Sequence, residues 1–511
     1  MATTRIEVKK PLNSSNSIST AAHYDQYGNP NLTTDAKGVQ THITYGSING
    51  HSGLYPTQTV AAYGTGLART SAAVYDFYTG VVTSATDVDN GVTSATEYDA
   101  LGRPTKVRSA AGTPLESWTR TEYNDAERRI IVRSDLETIG DGRKVAIQHY
   151  DQLGRVRLSR SLENSVTEDP TNETHGIKVE TRYQTGNPNS YQLTSNPFRA
   201  AYATQATNEP TMGWTRGKTI NTGKHSEVES FAGAALPAPW ENNTASTGVV
   251  TTDTDANATT ITDQAGNQRR SITNALGQLT RVDEPDKNTG QIGTVAAPIQ
   301  PTNYSYDTLN NLTTVTQGAQ TRSFVYDSLS RLKSANNPES GTINYGYDNN
   351  GNLTQKTDAR NVVTNYVYDA LNRVTNRNYT PPGGLPNYQA TPNVGYSYDN
   401  LPNAKGKLTK VASSVSTTEY TAFDILGRVS GHKQTTDGQA YTTGYAYNLS
   451  GGLIEETYPS GRVVKNELDN SGDLAKVKSR KTPTDIFRPY AGSFKYNAAG
   501  TVSSMRLGNG K

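Results

Sequence analysis

The stretch Thr364-Asn365-Tyr366-Val367-Tyr368-Asp369-Ala370-Leu371-Asn372-Arg373-Val374-Thr375 decides the reading of this chain. Two tyrosines at i and i+2 share one face of a strand, because side chains alternate along extended backbone. Asp369 then opens a turn by accepting hydrogen bonds from backbone N–H groups just ahead of it. Asn372 stands where the turn needs a left-handed residue, and asparagine tolerates that conformation best after glycine. Val374-Thr375 begins the return strand. The unit is a β-hairpin with a four- or five-residue loop.

The unit recurs along the chain. Tyr-Asp-x-x-Gly-Arg stands intact at Tyr98 to Arg103 and Tyr150 to Arg155, and with phenylalanine at Phe423 to Arg428. Looser copies begin at Tyr24, Tyr306, Tyr326, Tyr347, Tyr368, Tyr447 and Tyr496, and a degraded one at Tyr123. From Tyr306 the copies follow at steps of 20, 21 and 21 residues. Aromatic-x-Tyr doublets stand at 304/306, 324/326, 345/347, 396/398, 445/447 and 494/496. Two short strands and two turns fill about twenty residues. A fixed step of this size marks a repeat array. No apolar helical period extends beyond two turns, so the expected fold is all-β, with repeated hairpins forming one long sheet.

Five stretches are expected. A lead-in covers 1–19 and a first array covers 20–165. Residues 166–250 lack the motif and carry Pro170, Pro188, Pro197, Pro210, Pro237 and Pro239 with Trp214 and Trp240. They read as an insertion or atypical repeats, of the kind that makes a plug or lid. Degenerate repeats and a proline-rich connector cover 251–301, and a second array covers 302–511. Pro381-Pro382-Gly383-Gly384 interrupts that array, which stops at Gly508-Asn509-Gly510-Lys511 without the cap that repeat arrays need. The expectation is a fragment, or a chain closed by a capping partner protein.

Composition narrows the function classes. The chain has 511 residues, 33% of them apolar, and a mean hydropathy of −0.69, which is poor material for a thick core. Its 49 basic and 47 acidic residues leave +2, so nothing favours nucleic acid or an acidic membrane. Thirty-one tyrosines against seven phenylalanines suit a thin wall, where a ring is buried and its hydroxyl stays wet. The absence of cysteine removes disulfides and thiolate metal sites. The first residues show no apolar signal-peptide core, and no stretch is long enough to span a bilayer as a helix.

The recurring Tyr-Asp-x-x-Gly-Arg-Leu/Val pattern, with its period and doublets, resembles the YD-repeat or RHS-repeat family over most of 20–165 and 251–500. Members include bacterial polymorphic toxins, the cargo-carrying component of insecticidal toxin complexes, and the extracellular parts of teneurins. The resemblance implies a sheet that spirals into a hollow shell. In toxin members the shell encloses a C-terminal effector, which an adjacent aspartyl-protease-like core releases. That core ends near Asp-Pro-x-Gly-Leu. Here Asp169-Pro170 is followed by Thr171-Asn172-Glu173, so no self-cleavage residue is assigned and no effector lies in this chain. The implied partner is an effector or toxin polypeptide outside the chain, and the implied place is outside the cell or at its surface.

Candidate chemistry yields to simpler readings. The repeated carboxylates Asp99, Asp151, Asp327, Asp369 and Asp424 are turn openers rather than glycosidase acids. Asp253-x-Asp255-x-Asn257 and Asp87-x-Asp89-Asn90-Gly91 half-match calcium loops, but Ala258 and Gln264 stand where glycine and glutamate belong. The seven histidines, at 23, 42, 51, 149, 175, 225 and 432, show no zinc spacing. No catalytic, cofactor or metal residue is expected. Asn311-Leu312-Thr313 and Asn352-Leu353-Thr354 read as turn ends rather than glycosylation acceptors. Asp-to-Arg pairs such as Asp369/Arg373 are expected to steady the loop at about 0–1 kcal/mol each.

Three functions follow as expectations. The first is a non-enzymatic shell that encloses a polypeptide. The second is a surface adhesin or carbohydrate-binding repeat, with tyrosines exposed in rows to a glycan. The third is a β-helical polysaccharide-degrading enzyme, with carboxylates converging in one groove.

Overall fold

A computed structural model describes residues 5–11, 17–220, 222–383, 390–482 and 484–510. Residues 1–4 and 12–16 of the expected lead-in, Gly384 of the Pro-Pro-Gly-Gly interruption, and Lys511 lie outside the described residues.

The described residues form 39 strands in one antiparallel sheet, from Arg5–Pro11 to Val502–Leu507. Each strand between the first and the last pairs with the one before it and the one after it, so the described residues form a single meander. A one-turn 3-10 helix at Ala203–Gln205 is the helical content among the described residues. The expected all-β array of hairpins is therefore observed. Residues 166–250 carry five strands of the same meander, Ile177–Gln184, Asn189–Ser195, Gly213–Ile220, His225–Ala232 and Ser246–Asp255, the last running past residue 250.

The sheet is one layer thick over most of its length, and strand packs against strand beside its neighbour in the sheet rather than face to face. The accessible surface is 28255 Å². A compact monomer of this mass has about 18,000 Å². The excess of about 10,000 Å² is what a wall open on both faces gives.

Long connections thicken the wall in one region. Leu193, Phe198, Met212, Trp214, Phe231 and Leu236 form a buried cluster where the segments 196–212 and 233–245 fold over the strands. Ile131, Val145, Ile147 and Leu162 form a second, smaller cluster beside it. Lys178 is sealed in the same region, its ammonium donating to the carbonyls of Thr174, Gly176 and Arg199 at 2.6, 3.3 and 3.3 Å. Burial pulls that ammonium down to about 8.

Curvature comes from a repeated irregularity. In the 24th and 25th strands of the meander, Val325 pairs with Ser334 but Tyr326 pairs with Leu332, so Lys333 is an extra residue on the return strand. The same shift recurs from Tyr24 to Tyr496, including Tyr98, Tyr306, Tyr347, Tyr368, Tyr398 and Tyr447. The degraded copy at Tyr123 lacks it. A β-bulge bends its strand and increases local twist. Bulges placed at one end of successive hairpins bend the sheet in one sense.

The bend brings distant residues together. Asn350 meets Asp35 across 315 positions, Lys405 meets Asn90 across 315, and Arg143 meets Asn470 across 327. The sheet therefore coils back on itself after about 23 strands. At roughly 4.8 Å per strand, a round coil of that length is about 35 Å across at the backbone.

Candidate functional site

The site is distributed, and its smallest part is the hairpin turn. Asp369 Oδ1 accepts from the N–H groups of Leu371 and Arg373 at 2.9 and 3.0 Å. Its Oδ2 accepts from Arg373 Nε at 2.8 Å. Main chain closes the loop, with Asp369 N–H donating to Arg373 O and Asn372 N–H to Asp369 O, at 3.0 and 3.1 Å. Asp99, Asp151, Asp327 and Asp424 repeat the arrangement. The left-handed position is glycine at Gly102, Gly154, Gly351 and Gly427, asparagine at Asn310 and Asn372, and serine at Ser330.

These contacts set the carboxyls. Asp99 is held below the ordinary range, chiefly by the Arg103 N–H and guanidinium. For Asp151 and Asp327, burial pushes upward, but hydrogen bonds from Arg155 and Arg331 outweigh it. A carboxylate saturated by its own loop is a structural anion, not a proton donor.

The arginine and tyrosine link each hairpin to the next. Arg373 lies 4.3 Å from the ring centre of Tyr398, Arg103 4.2 Å from Tyr123, and Arg428 4.9 Å from Tyr447. Arg331 and Arg428 also donate to the carbonyls of Asp348 and Asn448 in the following loops, at 2.8 and 3.0 Å. In most copies the tyrosine hydroxyl reaches back to the preceding hairpin, whereas that of Tyr150 donates to Gln148 on its own strand. Tyr347 donates to Leu332 O, Tyr368 to Leu353 O and Tyr398 to Val374 O, at 2.9, 2.9 and 2.8 Å. Tyr98, Tyr306, Tyr447 and Tyr496 do the same to Val82, Leu279, Val429 and Leu474. That donation explains why tyrosine outnumbers phenylalanine here.

The bulge residue carries a further bond absent from the sequence reading. Thr313, Thr375 and Thr409 donate through their hydroxyls to Ser305 O, Val367 O and Ser397 O. The available signal is a threonine directly after the leucine or valine that follows the turn, at Leu312-Thr313, Val374-Thr375 and Leu408-Thr409.

The larger part of the site is the seam where the coil closes. The Tyr-Asp loops all lie along one edge of the sheet, and the second turns lie along the other. In the seam, the Tyr-Asp edge of the later coil rests on the second-turn edge of the earlier one. Lys37 pairs with Asp348 at 3.2 Å, and Asn350 donates to Asp35 at 2.7 Å. Arg69 meets Asp399 at 2.6 Å, while Arg373 holds the same carboxylate at 2.7 Å. Asn90 and the main chain of Lys405 exchange two hydrogen bonds, both 3.0 Å. Arg143 donates to Asp469 O and Asn470 Oδ1, both at 3.0 Å. Arg199 donates to Tyr496 O at 3.1 Å, and Glu209 accepts from Ala498 N–H at 3.0 Å. Burial pushes the Asp399 carboxyl up, but Arg373, the Gly406 N–H and Arg69 hold it down at about 2.

The remaining sequence candidates fall outside this constellation or serve it. Asp87 caps its own turn through Asn90, and Asp89 accepts from Thr70 N–H at 2.8 Å. Asp253 lies in a strand and contacts His225 at 2.5 Å, with Glu227 on the other ring nitrogen at 2.9 Å. Both carboxylates raise the His225 imidazole above its usual value. His149 is buried against Arg160 and Glu173, and the main chain of His175 joins the same cluster. The Asp169 carboxylate accepts from Thr171, and Pro170 O accepts from Arg160. Asn311 and Asn352 bind the carboxylates of Asp307 and Asp348 from within their turns, both at 2.9 Å. Among the described residues, no three histidine or acidic side chains are placed to hold a metal ion, and no helix is long and apolar enough to cross a membrane.

Comparison with known proteins gives one consistent picture. Residues 75–351, more than half of the chain, match the family described as Teneurin YD-shell, and residues 347–384 match the RHS Repeat family. No curated protein matches the sequence. The crystal structure of TcdB2-TccC3 superposes with a TM-score of 0.71 at 13% identity, covering 99% of this chain and 29% of that one. The Photorhabdus luminescens Tc holotoxin pore gives 0.70 at 12%, covering 99% and 30%. TcdB2-TccC3 without its hypervariable C-terminal region gives 0.67 at 11%, covering 99% and 30%. The chain thus spans under a third of the length of the solved structures it resembles.

Proposed function

The chain belongs to the Teneurin YD-shell family, and from that premise we propose that it is a wall segment of a secreted or surface-exposed container that encloses a polypeptide without acting on it chemically. The observation that carries this reading is the coil itself. A one-layer sheet closes edge on edge through the seam and leaves about 10,000 Å² more surface than a compact chain of its mass.

Within this reading, the arrays 20–165 and 302–511 are the repeating wall. The stretch 166–250 is a thickened panel whose long connections grip the later coil through Arg199 and Glu209. The occupant is an effector or toxin polypeptide, and one solved structure of like fold is by its title a Tc holotoxin pore.

The test is protease protection. A flexible, protease-sensitive polypeptide is tethered behind the final strand, and its cleavage is compared with that of the free polypeptide. Protection of tenfold or more is expected, and Asp35→Lys with Asp399→Lys should abolish it by breaking the seam. Equal cleavage of tethered and free polypeptide removes the cargo and leaves the wall.

A further inference from the structure

The array provides its own baseline for what stands across from the first ring of each doublet. Val315 faces Tyr304, Ala335 faces Phe324 and Val411 faces Tyr396, all apolar, while one acid, Glu456, faces Tyr445. In two consecutive hairpins the pattern is broken by cations. Lys356 faces Tyr345, and Arg377 faces Tyr366. The pairings Lys356 to Thr364 and Thr364 to Tyr379 put all of these residues on one sheet face. Two cations opposite rings in successive hairpins depart from the apolar pairing of the neighbouring copies, and such departures are where function is sought.

The two cations line a cavity of about 510 Å³ with Thr364, Tyr366, Tyr379 and Thr391. That size lies within the range of small-ligand sites, roughly 300–1,000 Å³. One carboxylate borders it, Asp358, and its own turn uses it. Asp358 accepts from the N–H groups of Arg360 and Val362 at 2.9 and 3.0 Å, and from the Arg360 guanidinium at 2.6 Å. Among the described residues, neither Lys356 nor Arg377 has an acidic partner, and Arg377 Nε is buried without a hydrogen-bond acceptor. The next segment in the chain, residues 384–389, contains no acidic residue. Arg377 stands 5.4 Å from the Tyr379 ring centre.

We propose that this groove binds an acidic saccharide, a sugar unit bearing a carboxylate or sulfate. Lys356 and the planar guanidinium of Arg377 take the anionic group, since guanidinium matches such oxygens in bidentate fashion. Tyr366 and Tyr379 offer aromatic surface to the C–H face of the sugar ring. Thr364, Thr391 and the tyrosine hydroxyls supply donors and acceptors for its hydroxyls. The site is argued from one sheet face alone and does not rest on the container reading.

The experiment is calorimetric titration of the full chain with 3′-sialyllactose, a heparin-derived disaccharide, neutral lactose and a glutamate-rich peptide. The variants are Lys356→Gln and Arg377→Gln, singly and together, which keep much of each stem. At least one acidic saccharide is expected to bind with an affinity that falls with salt and drops tenfold or more in the double variant, at an unchanged melting temperature. Lactose should not bind measurably. If a variant fails to fold, loss of saccharide binding to the native chain on raising sulfate concentration tests the same groove. Three results overturn the proposal: no binding of any acidic saccharide, undiminished binding by a folded double variant, or equal binding of the peptide through the same two residues.

Discussion

Replacing Tyr368 with phenylalanine removes one oxygen and tests how the hairpins are joined. The ladder between Leu353–Thr357 and Val363–Tyr368 has three residue pairs, from Gln355/Asn365 to Thr357/Val363, and stops short of the Tyr-Asp end. The ladder between Val374–Thr380 and Val394–Tyr398 has two. Beyond those pairs, the tyrosine hydroxyls, bonded to Leu353 O and Val374 O at 2.9 and 2.8 Å, tie the ends that the bulges splay apart. A hydrogen bond of this kind contributes about 0.5–1.5 kcal/mol net. Opening of the two adjoining strands should therefore become about two- to tenfold easier. Tyr347→Phe, Tyr368→Phe and Tyr398→Phe act at separate junctions, and in a repeat array their effects should sum to about 1.5–4.5 kcal/mol. Residue-resolved hydrogen exchange is the suitable assay, because a chain of this length does not unfold in one step. Unchanged protection in the triple variant would refute the linkage, as would a single variant whose loss spread evenly to remote strands such as Val92–Tyr98.

Ser330 is a serine at φ 61°, where other copies carry glycine or asparagine. Ser330→Gly should therefore stabilise its loop by about 1 kcal/mol, read as increased local protection against exchange. Asp399→Ala leaves Arg69 and Arg373 without their shared carboxylate. It should cost about 3 kcal/mol and raise exchange around Asn90 and Lys405 together. In the native chain the same carboxylate, held down at about 2, keeps its contribution above the usual 3.8 and loses it as pH falls from there toward 2. Exchange at Lys405 followed through that window checks this. Burial pushes His149 from 6.5 down to about 4, with Glu173, Arg160, Arg157 and Arg129 facing it. The unfolded chain then binds more protons between those values, so the segment 162–176 should loosen as pH falls from about 6.5 to about 4, and the lowered Glu173 carboxyl, held down chiefly by Arg157, continues the loss below its usual 4.5. Proteolysis of that segment should show the window from 6.5 to about 4 in the native chain and lose it in His149→Gln.

The hairpin was legible because each turn residue answers a backbone need. Asp369, Asn372 and Gly102 announce their conformations in any context. The tyrosine excess pointed correctly to a ring buried at one end and polar at the other, but its acceptor, a carbonyl in the previous hairpin, leaves no pattern in the string. The bulge was hidden because Thr313 and Thr375 look like ordinary strand residues, and only their fixed place after the turn distinguishes them. The seam was out of reach for a different reason. Lys37, Arg69, Asn90 and Arg143 are unremarkable loop residues, and partners some 300 positions away become neighbours only through the accumulated bend of many hairpins. Lys356 and Arg377 were visible as departures once the pairings showed which positions were equivalent.

The seam also restricts how such a chain can change length over generations. A hairpin gained or lost in the middle of the winding would displace every later loop by two strands relative to the layer beneath it. Lys37 would then face something other than Asp348, and Asn90 something other than Lys405. Contacts of that kind act like the teeth of meshed gears, which tolerate additions at the rim and not between engaged teeth. Relatives of this chain should therefore differ in repeat number mainly at the ends of the winding, and an internal duplication should survive only where its counterpart one layer away was duplicated too.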